Sequence, residues 1–325
     1  MKPRANDKGV QMTVTVEYIS RMRETLLTFH EKVGSFIQSN ESVAGAGSQA
    51  LGEQARYARP QSIVSACAIG TQLIEYGGEH LTAFVKTVTE PVEVIACWTC
   101  IRSMLEACAL SAWLLDPAID AHTRVSRAFA LRYEGMDQQL KFGRARNLPA
   151  GEIVALETRI DDVERDALAI GFTQVLNRHN DRNGIAQMMP GATDMIKLML
   201  DEEILYRLLS GVAHGHHWAI NQLSYMPTQV ADIDIGGVSA KPFEKTTELK
   251  GIALLGVTAV KALARPLWNQ CRFFGWDALH LEQVFETAAD GLDMTNHSRW
   301  MACCCFWQVG AGLNEMRCDL LTQAD

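Results

Sequence analysis

Residues 96–115, ACWTCIRSMLEACALSAWLL, decide the fold. A helix drawn through them is apolar apart from one charged pair, Arg102 and Glu106, which stands one turn apart on a single face. Such a helix has to be buried among other helices. The Asp116-Pro117 pair ends it. Residues 61–87 carry the same period immediately before, so the centre of the chain reads as two long, deeply packed helices.

Outward from this centre the period stays helical. Tyr18, Met22, Leu26, Phe29, Val33 and Phe36 recur at helical spacing within residues 14–38. Residues 40–60, NESVAGAGSQALGEQARYARP, are small, polar and glycine-bearing, which suits a flexible connection or an ordered surface loop. Residues 120–146 and 151–170 mix charges with a narrower apolar stripe and predict an exposed helical pair joined around Asn147-Leu148-Pro149. Residues 171–190 read as irregular, 193–200 as a short helix, and 201–221 as one further helix. The stretch 227–242 suits a small hairpin around Gly236-Gly237 or a lid. A long helix over 245–274 and one or two terminal helices ending near Leu321 complete the chain. The expected fold class is therefore all-α, an irregular helical bundle. Residues 1–59 form an amino-terminal helical arm with its flexible connection, and residues 60–325 form the bundle domain.

Composition narrows the function. The 325 residues are 48% hydrophobic and 21% charged with 9 prolines, which opposes disorder as the overall state. A net charge of -8 argues against a broad nucleic-acid or membrane-binding patch and leaves room only for a local basic groove. The arginines 124, 127, 132, 144 and 146 accumulate on the 120–170 pair and are candidates for such a groove, although Glu134, Asp137, Asp161 and Asp162 favour a solvated mixed-charge face. No apolar run reaches the roughly 20 residues that span a bilayer, and the first residues lack an apolar signal-peptide core. Nine cysteines, including Cys303, Cys304 and Cys305, do not form the even framework of a secreted scaffold. Reduced thiols, a cytoplasmic location and no membrane partner are the expectation. Cys97-Trp98-Thr99-Cys100 matches CxxC but lies mid-helix, so these thiols and Cys303–305 read as packing residues.

The candidate chemistry lies in residues 203–221, EILYRLLSGVAHGHHWAIN. Glu203, Arg207, Ser210, His214, His217 and Asn221 recur three or four residues apart, which on one helix gathers them along one stripe. Arg207 and His214, about two turns and roughly 10 Å apart, would lean toward one phosphate. The arginine would stabilise developing charge while the imidazole exchanges a proton, with Ser210 as a further donor. That division of labour suits cleavage of RNA by its own 2′-hydroxyl. Arg102 and Glu106 join the candidate set if their helix packs on this one, Glu106 to orient His214 or neutralise Arg207, Arg102 to add a second phosphate contact.

In these residues the chain resembles the HEPN superfamily of small helical bundles, in which an arginine followed after four to six residues by a histidine forms the active site of many RNA-cleaving toxins and defence proteins. Here Arg207 and His214 are separated by six, and Ile101-Arg102-Ser103-Met104-Leu105-Glu106 is similar to the arginine and glutamate helix of such proteins. The family usually carries a polar residue directly after the arginine, where this chain has Leu208. The resemblance covers residues 93–221 and implies a metal-independent endoribonuclease, needing no cofactor and acting as a homodimer on RNA or a nucleotide. Two other readings stay open. In one, Arg207 pairs with Glu203, Arg102 pairs with Glu106, and the protein is a binding or scaffold protein with a structural polar network. In the other, His214, His216 and His217 with Glu106 or Glu203 hold zinc or iron in a metal-dependent enzyme.

Overall fold

A computed structural model describes residues 14–40, 44–180, 182–227, 232–240, 242–245 and 248–294. Among them are eleven helices and three two-stranded antiparallel ladders, an all-α architecture. The segment expected at its centre is there: α4 (Ala96–Leu114) buries Trp98, Ile101, Met104, Leu105, Cys108, Ala112 and Trp113, and leaves Thr99, Arg102, Ser103 and Glu106 half-buried along the remaining face. Helix α3 (Pro60–Thr87) runs against it through a seam of small residues. A methyl group at Gly70 would sit 2.6 Å from Leu115, and one at Gly77 would sit 2.9 Å from the Cys108 thiol. The close approach lets Ser111 donate to the Gly70 carbonyl at 2.7 Å, a buried cross-helix bond.

On its other side α4 meets α10 (Leu249–Phe274), where Gly251 makes room for the Trp98 ring and Asn269 donates to the Ala112 carbonyl at 2.9 Å. Helix α10 is long and apolar enough to cross a membrane by length and composition, but 67% of its most apolar window is buried inside the bundle. Helix α1 (Val16–Asn40), expected as an appended arm, presses Met22, Leu26 and Phe29 into the same core, and Phe29 meets Phe285 of α11 (Leu279–Gly291) edge-on at 5.1 Å. The boundary expected at residue 59 therefore does not divide the core.

The stretch 40–60 also carries more order than its composition suggested. It contains α2 (Gln49–Arg56), capped by the Ser48 hydroxyl, and α2 supplies Glu53 to a buried ion pair with Arg124. Arg124 starts the second turn of α5 (Ala121–Ala145), whose first turn is capped by Asp120 accepting from the Thr123 amide at 2.7 Å. Its fully buried guanidinium bonds Glu53 at 2.9 and 3.2 Å, the Leu114 carbonyl at 2.5 Å and the Asp116 carbonyl at 3.1 Å, and lies 4.0 Å from the Phe273 ring. Arg127 adds a bond of 2.6 Å to the Trp113 carbonyl. A helix end leaves its last carbonyls unsatisfied and negative, and α4 has no cation of its own in its last turn. The arginines of α5 supply the donors.

Thus Arg124 and Arg127 face inward and form no groove. Farther along, Arg144 pairs with Glu157 and Arg146 lies over Phe142, so this is the mixed-charge face that the sequence favoured. The turn from α5 to α6 (Ala150–Leu168) falls at Asn147-Leu148-Pro149 as expected, with Asn147 left-handed at φ 54°. Residues 171–190, expected to be irregular, hold a hairpin of β1 (Gln174–Leu176) and β2 (Arg182–Ile185). Side-chain anchors rather than an apolar alternation stabilise it: Arg182 pairs with Glu164 and Asp161, and Tyr133 donates to the Arg182 carbonyl at 3.2 Å.

The expected hairpin at Gly236-Gly237 is present, both glycines having positive φ. There β4 (Ile233–Ile235) pairs with β5 (Val238–Ala240), flanked by β3 (Tyr225–Pro227) paired with β6 (Phe243–Lys245). Cys97 and Cys100 fall in the first turns of α4, not in mid-helix as expected, yet they are free thiols, and burial pushes the Cys97 thiol up to about 12. Cys303, Cys304 and Cys305, and the terminal helix expected to end near Leu321, lie outside the described residues.

Removing either partner of a buried ion pair strands the other charge. Arg124→Ala and Glu53→Ala are each expected to lower unfolding stability by about 3–5 kcal/mol. Urea denaturation should show the double variant losing clearly less than the two single losses added together.

Candidate functional site

Helix α7 (Ala192–Leu200) leads through Asp201, left-handed at φ 57°, into α8 (Glu203–Ala213). The period of α8 sets its two sides. Tyr206, Leu209 and Val212, three residues apart, are buried, and the helix packs on α4. Glu203, Arg207, Ser210 and His214 follow the flank that faces solvent, with Arg207 and His214 exposed and Ser210 half-buried.

The helix expected to continue to residue 221 stops at Ala213. Gly215 takes φ 70°, its amide bonds the Val212 carbonyl at 3.0 Å, and the His216 amide reaches back to the Gly211 carbonyl at 2.8 Å. These two bonds are a Schellman motif, which satisfies the last carbonyls of α8 and turns the chain. The His216 carbonyl then accepts from Ala219 and Ile220 and starts α9 (His217–Ser224). The predicted six-residue stripe is thereby divided. Four of its members stay with α8, His214 as the cap residue, while His217 and Asn221 move to α9 and pair with each other at 2.9 Å.

Arg207 is already engaged. Its Nε and Nη2 donate to Glu203 Oε1 at 3.0 and 2.8 Å, while Lys197 holds Glu203 Oε2 at 2.9 Å. The two cations, Lys197 foremost, hold the Glu203 carboxyl below its ordinary range. Ser210 and His214 follow along the same flank, His214 with its ring 6.1 Å from that of His216.

Arg102 and Glu106 pair with each other at 2.8 Å, half-buried, and the group that reaches them from α8 is neither Arg207 nor His214. It is Tyr206, whose hydroxyl donates to Glu106 at 2.6 Å and whose ring lies under the Arg102 guanidinium at 5.8 Å. Burial, then the Glu106 carboxylate, raises the Tyr206 phenol above its ordinary value. The expected contact of Glu106 with His214 or Arg207 is corrected accordingly. Helical phase is the cause, because Tyr206 points at α4 and its neighbour Arg207 points about 100° away. The signal for Tyr206 was in the sequence: a phenol on a core-facing position needs a polar partner, and Glu106 is the carboxylate of the facing helix.

The three histidines at the α8–α9 junction are all exposed, and among the described residues no group of three His, Cys, Asp or Glu side chains is close enough to hold a metal ion. The metal-dependent reading therefore finds no ligand set here. No protein-family model, curated protein or solved structure matches this chain.

A side chain at a left-handed position costs about 1 kcal/mol, so Gly215→Ala is expected to destabilise the protein by about that amount in thermal or urea unfolding. Tyr206→Phe removes a bond to a carboxylate that stays partly hydrated and should cost about 1 kcal/mol, with the Arg102–Glu106 pair left in place.

Proposed function

We propose that the chain is a HEPN-like, metal-independent endoribonuclease, with Arg207 and His214 as its catalytic pair. One observation carries this reading: both side chains are exposed on the same flank of α8, two turns apart, with the half-buried Ser210 between them. An RNA strand can reach them without any part of the core opening. In the reaction the 2′-hydroxyl attacks the adjacent phosphorus while His214 takes the hydroxyl proton. The bond to the 5′-oxygen breaks, leaving a 2′,3′-cyclic phosphate, and the departing oxygen takes up a proton from water or imidazolium. Arg207 neutralises the added charge on the phosphate oxygens, and Ser210 donates to one of them.

Glu203 sets a condition on this chemistry. A phosphate must take the guanidinium from a carboxylate that now holds two of its donors. Arg102 and Glu106 enter the reading as positioning residues, fixing α8 through Tyr206. Assembly as a homodimer and a cytoplasmic location belong to the same proposal. The free thiols of Cys67, Cys97, Cys100, Cys108 and Cys271 suit a reducing compartment. A second reading, a binding or scaffold protein, is favoured by the Glu203–Arg207 pair, which is complete without any ligand.

Incubation of purified protein with mixed single-stranded RNA separates the two. Cleavage to cyclic phosphate ends is expected, reduced about 100-fold or more in His214→Ala and Arg207→Ala, and absent on 2′-deoxy strands. Glu203→Gln should cut faster than the parent because it frees the arginine. Intact RNA with folded, unmodified protein would transfer the case to the scaffold reading.

A further inference from the structure

The segment that carries Arg207 and His214 differs from the rest of the chain in charge. Residues 204–231 hold no aspartate or glutamate, although the chain has 38 of them. Four basic side chains of this segment, Arg207, His214, His216 and His217, are exposed. The acid that meets them is Glu203, which sits just before the segment and holds Arg207. From Arg207 to the α8–α9 junction the segment thus offers an anion donors and no carboxylate of its own.

A large apolar group stands among these donors. Trp218, in the first turn of α9, folds back onto Gly211 of α8, where an added methyl would meet indole Cζ2 at 3.0 Å and Cε2 at 3.5 Å. Only a residue without a side chain lets the ring settle there. Gly211 is buried, yet 54% of Trp218 stays exposed. Gly211 also lies four residues after Arg207 and three before His214, so it neighbours both on one face of the helix. The indole is therefore seated on the α8 backbone beside both members of the pair, with much of its surface in water.

We infer that Trp218 is a stacking platform for an unpaired nucleobase, placed so that the phosphate beside that base falls between Arg207 and His214. The inference rests on the proposed function for the role of that pair, and it names the substrate class of the same site: a single strand, whose bases are free to leave their neighbours. Positive charge for the backbone and an aromatic ring for the base is the combination that holds single strands, and it is tolerant of sequence because every base has a π-face. An indole already seated on Gly211 loses little freedom when a base covers it. Base and phosphate are joined through one sugar, so the stacked base keeps its phosphate next to Arg207 while the guanidinium leaves Glu203.

Affinity for strands that cannot be cut tests this apart from catalysis, since neither the stack nor the phosphate contact uses the 2′-hydroxyl. A labelled oligothymidylate and an abasic deoxyribose strand of the same length are titrated with purified protein and followed by fluorescence anisotropy. The parent is expected to bind the base-bearing strand about 10-fold more tightly than the abasic one. Trp218→Ala should remove that difference by weakening the first strand alone, and Trp218→Phe should keep most of it. Annealing the complement should weaken binding despite the added charge, because a paired base is withheld from the indole. A parent that binds the two strands alike, or binds neither, overturns the inference without recourse to a variant. So does a preference that survives in folded Trp218→Ala, or a duplex held as tightly as the single strand. RNA left intact by a protein that keeps the preference counts against cleavage alone, and RNA cut by a protein without it counts against the platform alone.

Discussion

Arg124 is the charge around which the bundle is arranged. Its guanidinium is wholly enclosed, and its burial is offset by Glu53 from α2, by the open carbonyls at the end of α4, and by the face of Phe273 from α10. A buried cation tolerates few geometries, because losing any partner leaves desolvation uncompensated. The ends of four helices are therefore fixed relative to one another by a single side chain. This matters for the candidate site because α8 has its own footing on α4, through Tyr206 and the Arg102–Glu106 pair. Whatever holds α4 in place also holds the surface on which Arg207 and His214 stand.

The site itself is built from exposed groups on a rigid support. Glu203, Arg207 and Lys197 form a chain of charges in contact with water, where such pairs exchange readily. Tyr206, one residue from Arg207, is locked into the interior. Adjacent residues of one helix thus divide the work, one anchoring and the other free to change partners. The Schellman turn at Gly215 adds a second division, since it ends α8 where His214 can still share the flank with Arg207 and carries His217 away from it.

Most of the helices were legible because their signal is local. Met22, Leu26 and Phe29 repeat at helical spacing, and α4 is apolar apart from the face of Arg102 and Glu106, so burial follows from the residues themselves. The Asn147-Leu148-Pro149 and Gly236-Gly237 turns were legible for the same reason. The hidden features depend on distant partners. Glu53 looks like one more polar residue in a glycine-bearing stretch until Arg124 comes beside it, and β1–β2 is held by Arg182 reaching Glu164 rather than by alternation. In the site, the Glu203–Arg207 and Arg102–Glu106 pairs could be read from spacing alone. The break at Gly215 could not, because a glycine in a helical pattern either continues the helix or caps it according to how the next helix packs. Here Trp218 settles on Gly211, and only the capped arrangement brings it there.

The enclosure of Arg124 also has a history in time. Its acid partner precedes it in the chain, but Phe273, which closes over the guanidinium, is added roughly 150 residues later. At the pace of ribosomal synthesis that interval is on the order of ten seconds. During it the side of α4 that α10 will cover, including the Trp98 ring beneath Gly251, faces the solvent or a chaperone. A nascent chain of this protein therefore passes through an obligatory stage with its most apolar helix half-dressed, and how quickly α10 follows decides how much of it is captured by folding rather than by aggregation.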